Sequence, residues 1–267
     1  MFRLSNKGPV CYLESESLKS CSFLTHAFLT RQCGASEGAF ASLNFSVSVG
    51  DTEKNVAHNW EILAAAFETP LSHFFMINQV HGDRVLIADD LGQRSSSDHP
   101  IPCDAVLTSK RGLAVGIKTA DCIPILLVDR VARVIGAVHA GWRGTSLQIS
   151  AKTIQMMKER FHSKPSDILA AAGPAIGSCC YQVDEQVYAS FLKVDDLCAT
   201  AFQECKETGK WMLDLALVNR MQLMQSGVPE ENISSAGICT SCRTDFFFSH
   251  RAEKEGTGRQ LSFIALN

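Results

Sequence analysis

Three side chains able to bind a metal or activate a nucleophile each stand where an apolar run meets a glycine or a turn. They are His81 in Asn78-Gln79-Val80-His81-Gly82, Cys122 in Thr119-Ala120-Asp121-Cys122-Ile123-Pro124, and His139 in Ala137-Val138-His139-Ala140-Gly141-Trp142-Arg143-Gly144. Two imidazoles and a thiolate suit zinc, and three protein ligands leave a fourth tetrahedral position for a reactant, as catalytic zinc requires. Strand ends are also where a sheet fixes position while loops leave access. Taken singly, each histidine reads sooner as a hydrogen-bonded structural residue, and Cys122 sooner as a core thiol. The combination suits a metal by residue type more than by spacing, and stands as a hypothesis.

Other motifs narrow the chemistry. The chain has no GxxxxGK[ST] phosphate loop, no GxGxxG after a strand and no HExxH. No His-x-His occurs, so a copper cluster held by paired histidines has little support, although imidazole itself suits copper. Gly34-Ala35-Ser36-Glu37-Gly38 has the form of a nucleophile elbow, but no helical pattern follows it and it reads as a turn. Cys239-Thr240-Ser241-Cys242 is a C-x-x-C without a second spaced pair, since Cys179 and Cys180 are adjacent, and it reads as buried thiols or a turn. Arg251 could clamp a phosphate or carboxylate with two parallel bonds, or be a solvated surface arginine.

The elements that must position these residues belong to a chain of 267 residues, 46% apolar and 20% charged. That is enough to bury a sizeable core, and too apolar for disorder. The net charge of -3 arises from 25 basic and 28 acidic residues with no basic tract, so no nucleic-acid partner is expected. The first residues carry charge and no apolar core, and no apolar run reaches the ~20 residues of a membrane helix. The chain reads as cytoplasmic, with no membrane partner. Its eleven cysteines then belong to a reducing compartment, most of them as small buried residues. The polar stretch 92–100 reads as a surface loop.

Helical spacing appears in Val56, Trp60, Leu63 and Phe67 after Asp51 and Thr52, and in Leu147, Ile154, Met157 and Phe161 after Thr145. It appears again over 213–225, and more briefly from Asp184 through Val187, Tyr188 and Phe191. Strands are expected at 23–30, 74–80, 84–88, 105–108, 113–119, 123–128, 133–139, 168–172, 234–238, 245–248 and 261–266. Strands and helices do not alternate strictly, which predicts an α+β fold with a mixed sheet rather than a doubly wound one. The run Ile123-Pro124-Ile125-Leu126-Leu127-Val128 is apolar on both faces and predicts burial on both sides. One domain, 1–267, is expected.

These segments together resemble the laccase-domain, or multicopper polyphenol oxidase-like, family (DUF152). Its bacterial members are also called zinc-dependent purine nucleoside phosphorylases or peptidoglycan editing factors. The likeness rests on His26-Ala27-Phe28-Leu29-Thr30-Arg31, Ala41-Ser42-Leu43-Asn44, Val49-Gly50-Asp51, the three segments around His81, Cys122 and His139, Gly173-Pro174-Ala175-Ile176-Gly177, and Phe247-Phe248-Ser249-His250-Arg251. It implies a layered α+β sandwich of the Cys/His hydrolase-like kind, and zinc held by His81, Cys122 and His139, with copper the less favoured alternative. It places Arg251 in the pocket and Asn44 and Arg31 on its border. Two positions depart from the family pattern: His250, where tyrosine is common, and Ala252, where a second arginine is common.

The activity so implied is phosphorolysis of adenosine, inosine, guanosine and methylthioadenosine, with hydrolytic deamination of adenosine, by a monomer or homodimer. Cys122, His81, His139 and Arg251 would be catalytic, and Asp121 a proton shuttle or an orienting residue. A second reading makes Cys122 the nucleophile of an amidase, activated by His139, that edits wrongly built cell-wall precursors. A third is a binding module whose metal is closed off by a fourth ligand such as Cys239.

Overall fold

In the computed structural model, which describes residues 1–91, 101–254 and 256–267, two six-stranded sheets pack face to face beside a small third sheet. The first runs, in spatial order, β1 (Phe2–Lys7), β2 (Val10–Ser15), β3 (Leu24–Leu29), β15 (Gln260–Leu266), β7 (Ala114–Thr119) and β4 (Phe74–Met76). The second runs β14 (Ile233–Ser235), β10 (Ile168–Ala172), β8 (Ile123–Asp129), β9 (Val134–Ala140), β6 (Ala105–Thr108) and β5 (Val85–Ile87). The third is β11 (Gln182–Asp184), β13 (Lys210–Leu213) and β12 (Phe202–Glu204). Antiparallel pairs form the middle of both large sheets, and parallel pairs occur at their ends. The architecture is the mixed α+β sandwich expected.

β8 shows why. Leu126 and Val128 face the first sheet, packing in one core with Ile117 and Ile264. Ile125 and Leu127 face the other way, into a core with Ile154 and Met157 of the helix Ile149–Phe161. Each such side chain contributes about 1.5–3 kcal/mol by leaving water. On the outer face of the first sheet, Leu63 and Phe67 of the helix Glu53–Phe67 cover Leu261 and Phe263. That helix starts where expected, its first turn capped by the Thr52 side chain, which accepts the Asn55 amide. No helix among the described residues is long and apolar enough to cross a membrane.

Three expectations are corrected. The helix placed over Leu147 to Phe161 is broken: Trp142–Ser146 and Ile149–Phe161 are separated by Gln148 at φ 64°, and Leu147 is exposed. Side chains of the helix Leu215–Gln225 satisfy the break, Gln222 donating to the Thr145 carbonyl at 2.8 Å and Asn219 to its hydroxyl at 3.0 Å. Leu213 ends β13 rather than opening that helix, which Asp214 caps. The expected strand 245–248 is a turn closed on the Arg243 carbonyl, followed by the short helix His250–Glu253. Phe247 and Phe248 are apolar because they plug the interior, not because they pair with a strand. The N-terminal hairpin was not anticipated, its outer strand being mostly polar. The loop expected at 92–100 lies outside the described residues.

His26 on β3 is buried, and its Nε2 accepts the Ser15 amide at 3.0 Å. Burial pushes its pKa from the usual 6.5 down to about 4. The unfolded chain therefore takes up a proton that the folded chain refuses. This contribution to stability is fully present above pH 6.5 and is lost as pH falls toward about 4. Urea unfolding should show a loss of about 3 kcal/mol over that window, beyond the carboxylate contributions, and His26→Gln should remove it. An identical pH profile in the variant would reject this account.

Candidate active site

β8 and β9 pair so that Ile123 lies opposite Ala140 and Pro124 opposite His139. The residue that opens one strand therefore meets the residues that close the other. Cys122 immediately precedes β8, His139 lies near the end of β9, and His81 arrives from the loop after β4. One donor atom from each of the three falls within 4.8 Å of the others. The two imidazole rings are 4.8 Å apart and steeply tilted, at 78°.

Asp104, just before β6 and wholly buried, holds the His139 ring and the His81 backbone. Its Oδ1 accepts from His139 Nδ1 at 2.7 Å and from the His81 amide at 2.9 Å, and its Oδ2 accepts from the amides of Gly82 at 2.7 Å and Val80 at 3.2 Å. With Nδ1 donating to the carboxylate, Nε2 of His139 is the nitrogen left available to a ligand. The amide bonds also hold His81 at φ 59°, in the left-handed region that costs a non-glycine residue strain. Burial raises the Asp104 carboxyl pKa, but His139 and the amide donors outweigh it and keep the value below the ordinary range. Sequence reasoning missed Asp104. Its one signal was a charged residue at the head of a strand that opens Ala105-Val106-Leu107.

The Gly141-Trp142-Arg143-Gly144 turn is shaped by the same crowding. A Cβ on Gly141 would stand 3.0 Å from Cys122 Sγ and 3.1 Å from His81 Cδ2, and one on Gly144 would stand 2.7 Å from the Gly82 carbonyl oxygen. Burial would raise the Cys122 thiol, yet His139 and His81 pull it down to about 6. Burial would lower His139, yet Cys122 and Asp104 push it up to about 9. Each group thus favours the charged form of the other, thiolate beside imidazolium, and a cation bound there would displace the ring proton.

The trio lines a cavity of about 590 Å³ with Trp142 and Tyr181 among its walls. Four cationic side chains also line it: Lys118, Arg143, Arg251 and Arg259. Burial and the nearby Arg259 guanidinium push the Lys118 ammonium below its usual pKa. Thr119, in the same wall, has a buried hydroxyl with no partner among the described residues. Sequence reasoning singled out neither Lys118, Arg143 nor Arg259, because lone cations on scattered elements carry no local pattern.

Arg251 lines the cavity as expected, donating from its two terminal nitrogens to the carbonyls of Cys180 at 3.2 Å and Gln182 at 2.9 Å. Asp121, at φ 90°, accepts from Thr240 Oγ1 and from the Arg251 amide, both at 2.7 Å. Its bonding is that of a brace. Asn44 and Arg31 are not in the cavity wall. Asn44 is wholly buried and bonded to Ser46, Asp51 and the Arg259 amide. Arg31 is spent on Glu253 and the carbonyls of Ala41 and Thr244, over the Phe248 ring. Ser36 of the elbow-like sequence bonds Asp51 at 2.6 Å in irregular backbone, followed only by the single 3-10 turn Gly38–Phe40 and not by an α-helix. Cys239 lies not on the trio but beside Cys179, Cys180 and Cys242.

Residues 25–267 match the family described as multi-copper polyphenol oxidoreductase laccase. The chain belongs to that family. Relatives in this laccase-type family bear another activity in their names. Purine nucleoside phosphorylase YlmD of Geobacillus stearothermophilus is 39% identical over 245 residues, covering 88% of this chain and 87% of the relative. Purine nucleoside phosphorylase of Bacteroides thetaiotaomicron is 36% identical over 259 residues, covering 94% and 95%. Among solved structures, hypothetical protein YfiH of Bacillus licheniformis superposes with a TM-score of 0.92 at 36% identity, covering 100% of this chain and 99% of that one. The laccase-type fold is thereby confirmed, and its His81, Cys122 and His139 donor set is chemically fit to hold a metal ion.

Proposed function

We propose that this chain is a metal-dependent purine nucleoside phosphorylase, with His81, Cys122 and His139 holding zinc and Arg251 helping to hold phosphate. The observation that carries the reading is the convergence of that trio in a cavity lined by four cations. Sulfur and imidazole donors in a set of three suit zinc with a position left open. Zinc bound there would supply Lewis acidity against the negative charge of phosphate and of the developing product.

The chain's own residues account for the rest. Lys118, Arg143, Arg251 and Arg259 gather and orient phosphate, and Trp142 and Tyr181 offer faces against which a flat base can pack. A phosphate oxygen then forms the bond to C1′ of the ribose while the C1′–N9 bond breaks. Its electron pair leaves with the purine, which takes up a proton. The Thr119 hydroxyl is placed to meet a polar substrate atom. Arg251 is held by two carbonyls and keeps further donors, a guanidinium having five. Replacing Arg251 with alanine should lower kcat/KM for phosphate about 10²-fold, chiefly through KM, while metal content stays unchanged.

Product analysis of the zinc-loaded protein tests the reading. Free base and pentose 1-phosphate should appear from adenosine and inosine only when phosphate is present. No turnover of any purine nucleoside would sink it. Inosine formed from adenosine without phosphate would reveal deamination instead. The site is poorly equipped for that reaction, because Asp121 is the single carboxylate in the wall among the described residues and both its oxygens are engaged.

One observation favours a second reading. Cys122, His139 and Asp104 also form a thiolate, imidazolium and carboxylate series, the arrangement of a cysteine amidase. A covalent acyl adduct on Cys122 in metal-free protein would support it.

A further inference from the structure

Four more thiols converge outside the trio. Cys179, Cys180, Cys239 and Cys242 have all their sulfurs within 4.8 Å of one another, Cys180 and Cys242 at 3.4 Å and Cys179 and Cys242 at 3.6 Å. A tetrahedral ion with metal–sulfur bonds of about 2.3 Å holds its sulfurs about 3.8 Å apart. A disulfide would require about 2.05 Å, and all four are free thiols. The spacing is that of one ion's ligands.

The backbone is arranged for such an ion. Residue 239 forms an isolated bridge with Ala175, which lays the two cysteine-bearing turns side by side. The Gly177 amide donates to Cys239 Sγ at 3.2 Å. Amide donors aimed at sulfur favour thiolate, the form that binds metal. Gly177 leaves the space: a Cβ there would lie 3.2 Å from Cys239 Cβ and 3.3 Å from Cys179 Sγ. Two adjacent cysteines on one turn and a C-x-x-C on the other thus complete each other in space, though their sequence spacing hides it.

We propose that Cys179, Cys180, Cys239 and Cys242 form a second metal site, closed and four-coordinate, that takes one zinc ion. Its place in the fold gives it a purpose. The Cys180 and Gln182 carbonyls hold the Arg251 guanidinium, and Thr240, inside the C-x-x-C, holds the Asp121 carboxylate. The ion would therefore tie together the two turns that position the wall of the cavity, without contacting substrate. This proposal stands independently of the purine reading, because it is read from metal content.

The test uses full-length protein and cobalt(II) as the metal probe. In His81→Ala/His139→Ala protein, which keeps all four thiols, one cobalt ion per chain should bind, with the strong sulfur-to-metal absorption and tetrahedral visible bands of a four-thiolate site. Cys239→Ser/Cys242→Ser should lose that signature yet keep an ion at His81, Cys122 and His139. Should the serine variant fail to fold, the ratio decides: wild type binding two ions and the histidine variant one supports the site. A folded histidine variant that binds no cobalt overturns the proposal. So does a folded Cys239→Ser/Cys242→Ser protein that binds as many ions as wild type, or a disulfide among the four cysteines in protein purified under reducing conditions.

Discussion

Cys122→Ala protein is expected to lose its metal and its nucleoside turnover together. In the proposed site the sulfur would be one of three ligands, and the remaining two imidazoles, 4.8 Å apart, would make a weak site. A metal contributes several kcal/mol to transition-state charge stabilisation, and each 1.36 kcal/mol is tenfold in rate, so kcat/KM should fall about 10³-fold or more. Metal analysis and product assays on the same preparation check this, against a Cys21→Ala control that alters a buried thiol elsewhere in the core. The trio is not the metal site if Cys122→Ala keeps wild-type zinc at His81 and His139. Turnover retained in metal-free Cys122→Ala protein would remove both the metal reading and the cysteine-nucleophile reading at once.

Asp104→Asn should be nearly as damaging although Asp104 does not line the cavity. Four donors converge on its carboxylate: His139 Nδ1 and the amides of Val80, His81 and Gly82. Asparagine offers one oxygen and turns an NH2 group toward the remaining donors, leaving buried N–H groups unpaired at about 1–3 kcal/mol. It also releases the ring orientation of His139 and the left-handed backbone of His81. Metal affinity should fall about 10–100-fold, as when a group orienting a metal-bound histidine is removed. Urea unfolding should show the stability loss separately. The pH dependence has a definite sign. The Asp104 pKa is held below its usual 3.8, so its contribution is present above that pH and is lost as pH falls through the lower, folded-state value. Asparagine should abolish that acid limb. Unchanged metal affinity in a folded Asp104→Asn protein would show that the carboxylate does not position the site.

Several features were legible along the chain because their causes are local. Thr52 and Asp184 cap helices, and a cap is an interaction across three residues. β8 announced burial on both faces because its residues are apolar in both phases of the strand period. The readings that failed did so where a distant partner overrode local preference. Gln222 and Asn219 stabilise the break that stops one long helix, and Phe247 and Phe248 are apolar for the interior they fill.

The amino-acid sequence by itself determined the donor types, the glycines that let them crowd together, and the family to which their motifs belong. It also determined most of the strands and helices, since periodicity and capping are properties of short segments. Tertiary structure alone decided which donors meet. The pairing of β8 with β9 brings Cys122 to His139, Asp104 arrives beneath them at the head of β6, and the Ala175–Cys239 bridge gathers four sulfurs into one cluster. Asn44 and Arg31, which belong to the same motifs, are turned to internal hydrogen bonds instead. The physical reason is that a site is set by distances between residues far apart in the chain. Only strand register and the packing of two sheets fix such distances.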